Sequence, residues 1–224
     1  MITLDPISLS ETARYMGIRG EPDENIMIIL KKCEKLVRER LRPNYVYREA
    51  DIEYSENGVL IGGINFTGND IRKHLEGCSK AVLMAVTVSA EADKLIRQKA
   101  VTNMTESLAV DCLCSSAVEQ VCDKAEKEIF SQIYAPYHTW RFSAGYGDLP
   151  ITFQKDILNF LNAHRRIGLT VTESCLLMPS KSVTAIVGIS EKPVAKGEKG
   201  CAVCSMRDRC AFSAKGKTCG RSLL

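Results

Sequence analysis

The stretch Trp140–Arg141–Phe142–Ser143–Ala144–Gly145–Tyr146–Gly147–Asp148–Leu149–Pro150 gathers groups suited to holding a small ligand. Arg141 offers a planar fork of N–H donors that matches a carboxylate or a phosphate. Gly145 and Gly147 let the backbone pass close to a ligand and take positive φ without steric cost. Tyr146 adds a flat ring with a polar tip. A tight surface turn between two helices uses the same residue types, so the loop alone leaves both readings open.

A second candidate set lies in the long helical stretch from Asn103 to Gln132. Val118, Val121, Cys122, Ala125 and Ile129 form its apolar stripe, and beside them run Cys112, Ser115 and Ser116, ending at Glu119. Positions three and four apart share a helical face. Small side chains crowned by one carboxylate leave room for a ligand and a charge to hold it. Close helix packing beside a solvated Glu would produce the same row.

The third set is Cys201, Cys204, Cys210 and Cys219, in the pattern C-x2-C-x5-C-x8-C after a Lys/Gly-rich segment, Lys192–Gly200. Four thiolates so spaced suit a four-coordinate metal site, with zinc or an iron–sulfur cluster as occupant. Arg207, Arg209, Lys215 and Lys217 would offset its negative charge. A tail of reduced or paired thiols is the alternative. Cys33, Cys78, Cys112, Cys114, Cys122 and Cys175 sit in apolar stretches and read as core. His74, His138 and His164 are scattered, and no Ser/His/Asp or Cys/His constellation is visible.

These groups sit in a chain of 224 residues with ten cysteines, 45% apolar and 25% charged residues, the balance of an ordinary globular protein. No apolar run is long enough to span a bilayer. The N-terminal Met1–Pro6 lacks the basic and apolar regions of a secretory signal, so the expected compartment is the cytoplasm, where cysteines stay reduced. From Lys192 onward there are eight Lys/Arg against two acids, whereas residues 1–191 hold 22 against 25. A slightly acidic body, 1–191, thus precedes a basic Cys-rich tail, 192–224. The tail lacks the interleaved aromatics of a single-strand binder, which argues against a nucleic-acid partner.

Several elements must position the candidate groups. Ser8 and Glu11 are spaced as a capping box. Pro22–Asp23–Glu24 places Pro in the first turn of a second helix, with Ile26, Ile29, Leu30, Cys33 and Val37 on one face and Pro43 as its stop. Tyr45–Glu49 and Ile52–Tyr54 read as two extended pieces. Ser55–Glu56–Asn57–Gly58 reads as a hairpin turn, because Asn-Gly tolerates the positive φ of a type I′ turn, and Val59–Ile61 returns from it. Asn69 and Asp70 read as the cap of a short helix. Lys80–Val88 is a continuous β-branched run, expected as a strand covered on both faces, and Ser89–Asp93 starts the next helix. Phe153–Leu161 is helical, Leu169–Thr172 and Val183–Ile189 are strand-like, and Met178–Ser182 is a turn. Together these predict an α+β fold on a twisted, mainly antiparallel sheet flanked by helices.

Four segments together resemble the activation (reactivation) domain of cobalamin-dependent methionine synthase. They are Ala85–Val86–Thr87 with Glu91–Ala92–Asp93; Asp111–Cys112–Leu113 with Ala117–Val118–Glu119; Arg141–Tyr146; and Leu169–Ser174 leading to Met178–Pro179 and Ser182–Val183. Their order and spacing carry the resemblance over roughly half the chain, from about Ala81 to Gly188. It implies binding of S-adenosylmethionine in a shallow groove beside the sheet, as methyl donor for cobalamin oxidised to the cob(II) state. A flavodoxin-type protein would supply the electron in this step of methionine biosynthesis. The family's Arg-x-x-x-Gly-Tyr motif falls on Arg141, Gly145 and Tyr146, its backbone contact on Ser143, and its helical Glu on Glu119. Arg141 then faces the ligand's carboxylate and Glu119 its cationic end, with no protein nucleophile required.

The family's early acidic contact and its late Tyr-Tyr contact have no counterpart here. Nor is there a cobalamin-binding Asp-x-His-x-x-Gly loop, so the cobalamin is expected on a partner protein. The expectation is a stand-alone component of a methyltransferase, not a self-contained catalyst. A reductive role would favour an iron–sulfur cluster in the tail. The alternatives are a reactivator of another corrinoid methyltransferase, or a metal-containing interaction or redox protein with a vestigial nucleotide groove.

Overall fold

In the computed structural model, which describes residues 2–18 and 20–194, every strand pairing is antiparallel. Helix α1 (Leu9–Tyr15) starts at Ser8, whose hydroxyl accepts the Glu11 N–H. Helix α2 (Glu24–Arg40) starts at Asp23, whose carboxylate accepts the Ile26 N–H at 2.8 Å. Pro22 therefore precedes the cap instead of opening the first turn. Leu30, Cys33 and Val37 form the buried face of α2, as their spacing predicts.

Strand β1 (Asn44–Ser55) is continuous where the sequence suggests two pieces. It turns into β2 (Gly58–Ile61), which turns into β3 (Ile64–Thr67). Glu56 and Asn57 form the first turn, between paired Ser55 and Gly58. The type I′ expectation fails, because neither Asn57 nor Gly58 has positive φ. Gly58 answers to a different demand: a Cβ there would lie 2.0 Å from the Phe66 carbonyl oxygen across the β2–β3 pair.

Helix α3 (Asn69–His74) leads to β4 (Lys80–Thr87), α4 (Glu91–Thr102) and the long α5 (Met104–Gln132), which Asn103 caps through the N–H groups of Thr105 and Glu106. A two-residue strand β5 (Tyr137–His138) follows, then α6 (Phe153–Leu161), α7 (Ala163–Ile167), the small hairpin β6 (Thr170–Val171) and β7 (Leu177–Met178), and β8 (Ser182–Ser190). The main sheet runs β3-β2-β1-β4-β8-β5.

Central β4 explains the continuous apolar run in physical terms. Val82, Met84 and Val86 point into one core with Leu30, Val37, Leu113, Val121 and Ile129 of α2 and α5. Ala81, Leu83 and Ala85 point into the other core with Phe66, Ile71, Ile157 and Leu161. A strand with period-2 alternation and both faces covered has no solvent side to mark with polar residues. The α+β architecture on an antiparallel sheet is thus as predicted. Among the described residues, no helix is long and apolar enough to cross a membrane. The four tail cysteines, Cys201, Cys204, Cys210 and Cys219, lie outside the described residues.

Candidate functional site

The bend Ser143–Leu149 hangs from the outer edge of β8. Thr139 N–H donates to Gly188 O at 2.9 Å, and Phe142 exchanges both backbone hydrogen bonds with Ile186 at 2.9 and 2.8 Å. Phe142 is buried in the core that α6 covers, and alternation along extended backbone turns Arg141 the other way, toward α5. The chain then folds on itself. Tyr146 N–H donates to Ser143 O at 3.0 Å, Gly145 N–H to Leu149 O at 2.9 Å, and Leu149 N–H to Tyr146 O at 3.0 Å. Gly145 has φ +92°, a conformation that L side chains rarely adopt. Ala144 and Leu149 are buried anchors, while Tyr146 is 51% exposed. Its ring lies 5.8 Å from that of Phe142 and 6.4 Å from that of Trp140.

Arg141 meets α5 through three carboxylates. Its Nη2 donates to Asp123 at 2.9 Å and lies 3.6 Å from Glu119; its Nη1 donates to Glu126. Positions 119, 123 and 126 recur at helical spacing, so one face of α5 presents all three. Burial opposes the charge on Arg141, but the neighbouring Cys122, Glu126 and Asp123 outweigh it and raise its pKa. Burial pushes the Cys122 thiol up to about 12.

The structure thus brings Arg141 and Glu119 together beside the bend carrying Ser143, Gly145 and Tyr146. The sequence reading named Glu119 but missed Asp123 and Glu126, although the recurrence of acids along one face was there to see. A cavity of about 490 Å³ adjoins the cluster, lined by Asp123, Glu126, Lys127, Phe130, Ser131 and His138. The Phe130 and His138 rings stack in it at 4.2 Å, 4° from parallel.

The small-residue row expected to leave room for a ligand is largely filled. Lys181, from the turn before β8, pairs with Asp111 at 2.9 Å and donates to Ser115 Oγ at 2.9 Å. Cys112 and Ser116 are buried, and the Ser116 hydroxyl has no hydrogen-bond partner among the described residues. Only the Glu119 end of the row reaches the Arg141 site. The reason is tertiary: a long cation crosses from the turn before β8 onto the face that small side chains leave low.

On the far side of the bend, Asp148 has a role the sequence reading did not assign. Its carboxylate accepts the N–H groups of Asn69 at 2.7 Å and Asp70 at 3.0 Å, and its own N–H donates to the Asp70 carboxylate at 3.2 Å. It caps α3 in place of Asn69 and Asp70, whose side chains make no cap; the N-cap position is Gly68. These backbone N–H groups hold the Asp148 carboxyl below its ordinary pKa. At the other end of α3 the His74 ring packs against Trp140 at 4.7 Å and Phe142 at 4.9 Å.

Five of the six described cysteines are buried, and Cys175 is partly so. Among the described residues, no group of three or more His, Cys, Asp or Glu side chains is placed to hold a metal ion.

Comparison with known proteins bears on this arrangement. Among solved structures the chain is similar to a MetH reactivation domain crystallised with AdoHcy, at 15% identity and a TM-score of 0.62, covering 95% of this chain and 82% of that one. At that identity the likeness establishes the fold. No curated protein matches the chain. The sequence pattern of the family described as vitamin B12 dependent methionine synthase, activation domain, matches residues 80–194, just over half the chain and including α5, the bend and β8. The chain therefore belongs to the family of vitamin B12 dependent methionine synthase activation domains.

Proposed function

We propose that the chain binds S-adenosylmethionine at the bend Ser143–Tyr146 and serves the reductive remethylation of cob(II)alamin held by a corrinoid protein. The observation that carries this reading is the 3.6 Å approach of Arg141 to Glu119 beside a bend whose Tyr146 ring is half exposed. Family membership and a structural neighbour crystallised with AdoHcy support it.

The residues fit such a ligand. A sulfonium amino acid carries a carboxylate and two cationic groups, and the site offers a guanidinium within a set of carboxylates. The Arg141 fork is engaged by Asp123 and Glu126, so a ligand carboxylate would replace one protein carboxylate on Nη2, exchanging one charge-assisted pair for another. The displaced carboxylate and Glu119 would then face the ligand's ammonium and sulfonium. Tyr146 offers a flat surface to the nucleoside. S-adenosylmethionine supplies the electrophilic methyl group, and the chain's own part is to bind and orient it.

The corrinoid protein would be a methionine synthase, with a flavodoxin-like protein as reductant. We propose also that Cys201, Cys204, Cys210 and Cys219 hold zinc or an iron–sulfur cluster, to be told apart by metal analysis and the visible spectrum of anaerobically purified protein. Calorimetric titration with S-adenosylmethionine tests the central claim. Saturable binding that is weakened in Arg141→Ala is expected; absence of heat at millimolar ligand rejects it.

A further inference from the structure

Resting on that nucleotide reading, we infer that α3 is the positioning element of the ligand bend, holding its entry through His74 and its exit through Asp148. This six-residue helix lies ahead of residues 80–194, so the family match does not include it. It nevertheless touches both ends of the segment that carries the motif.

At the exit, Asp148 and Asp70 form a reciprocal clasp. The Asp148 carboxylate takes two N–H groups from the first turn of α3, and the Asp70 carboxylate takes the Asp148 N–H. The clasp leaves no space for side chains at the crossing. A Cβ on Gly147 would lie 2.1 Å from Asp70 Oδ2, and one on Gly68 would lie 2.6 Å from Asp148 Oδ1. Both glycines have positive φ, +53° and +145°. Two glycines facing two carboxylates across one contact are what a tight, specific junction requires.

At the entry, the His74 ring lies against Trp140 and Phe142, the two rings that neighbour Tyr146. His74 Nε2 is 2.8 Å from Thr139 Oγ1, which accepts the Gly188 N–H of β8 at 2.8 Å. The chain from Thr139 to Asp148 is therefore spanned by one short helix, held at one end near β8 and at the other to the bend. A ligand that relies on the bend's backbone and on Tyr146 gains affinity when that geometry is set before it arrives. Asp148 and His74 touch no proposed ligand atom, and so act as positioning residues.

The test combines a ligand-free readout with a binding readout on the full chain. In Asp148→Ala, hydrogen–deuterium exchange of the bend peptide should rise while peptides of β4 and α5 keep wild-type exchange, and affinity for S-adenosylmethionine should fall roughly tenfold. Asp148→Asn, which keeps one acceptor oxygen, should recover part of both. In His74→Ala, acrylamide quenching of Trp140, the chain's one tryptophan, should increase. If Asp148→Ala folds poorly, Asp70→Ala removes only the acceptor of the Asp148 N–H and should loosen the bend to a smaller degree. If the wild-type chain fails to bind S-adenosylmethionine, the functional reading falls, while exchange and quenching still decide whether α3 holds the bend. Wild-type exchange in Asp148→Ala overturns the inference. So does a loosened bend with undiminished affinity in a chain that binds the nucleotide.

Discussion

The Nη2 atom of Arg141 lies 3.6 Å from Oε2 of Glu119, joining a residue of the β8 edge segment to one in the middle of α5. That juncture places the two charged groups in one candidate site, where they can be tested together.

Arg141→Ala should weaken S-adenosylmethionine binding by about 1.5–3 kcal/mol, the usual cost of removing one partner of a charged hydrogen bond. It should also destabilise the unliganded protein, since Glu119, Asp123 and Glu126 would lose the cation they share. The stability loss should shrink in 1 M salt, where screening acts over about 3 Å. Calorimetry and urea unfolding at two salt concentrations check both parts.

Glu106 offers a pH-dependent test away from the site. Its carboxylate, nearly buried, accepts from Lys32 at 2.6 Å and Lys99 at 2.7 Å. Those bonds, Lys32 first, hold its pKa below the ordinary 4.5. A depressed folded pKa contributes stability above the unfolded value and loses it as pH falls through the folded one. Glu106→Gln should thus cost about 1–3 kcal/mol at neutral pH, with the gap to wild type closing as pH falls below the ordinary carboxyl value of 4.5 and through the lowered folded one. Urea midpoints between pH 3 and 8 measure it.

Gly147→Ala and Gly63→Ala separate backbone strain from collision. Both positions have positive φ, but a Cβ at Gly63 meets nothing within 4 Å, whereas one at Gly147 meets Asp70 Oδ2 at 2.1 Å. Gly63→Ala should cost about 1–2 kcal/mol, the price of left-handed backbone for an L residue. Gly147→Ala should cost more and should also lower nucleotide affinity. Chemical denaturation alongside calorimetry distinguishes the two.

Thiol labelling reports on the core. Burial pushes Cys78 up to about 11 and both Cys114 and Cys122 up to about 12. Iodoacetamide under native conditions should modify Cys175 well before Cys33, Cys78, Cys112, Cys114 or Cys122, because the thiolate is the reactive form. Peptide mapping by mass spectrometry gives the order. Early labelling of Cys114 or Cys122 would contradict the packing of α5.

The sequence by itself determined the elements whose signals are local. The Ser8 cap, the apolar stripes of α2 and α5, the exact span of α6 and the doubly covered β4 all follow from periodicity and capping chemistry over a few residues. It also nominated Arg141, Gly145, Tyr146 and Glu119 through a resemblance the family match upholds at the level of the family. Tertiary structure alone decided what surrounds them. Asp123 and Glu126 engage Arg141 because the edge of β8 passes that face of α5. Lys181 covers Ser115 because the turn before β8 crosses the same helix. Asp148 caps α3 because two segments distant in sequence meet at Gly68 and Gly147. Gly58 is required by the neighbouring strand and not by its turn. Local periodicity records which face a residue takes; which side chain reaches across to that face depends on how whole elements pack.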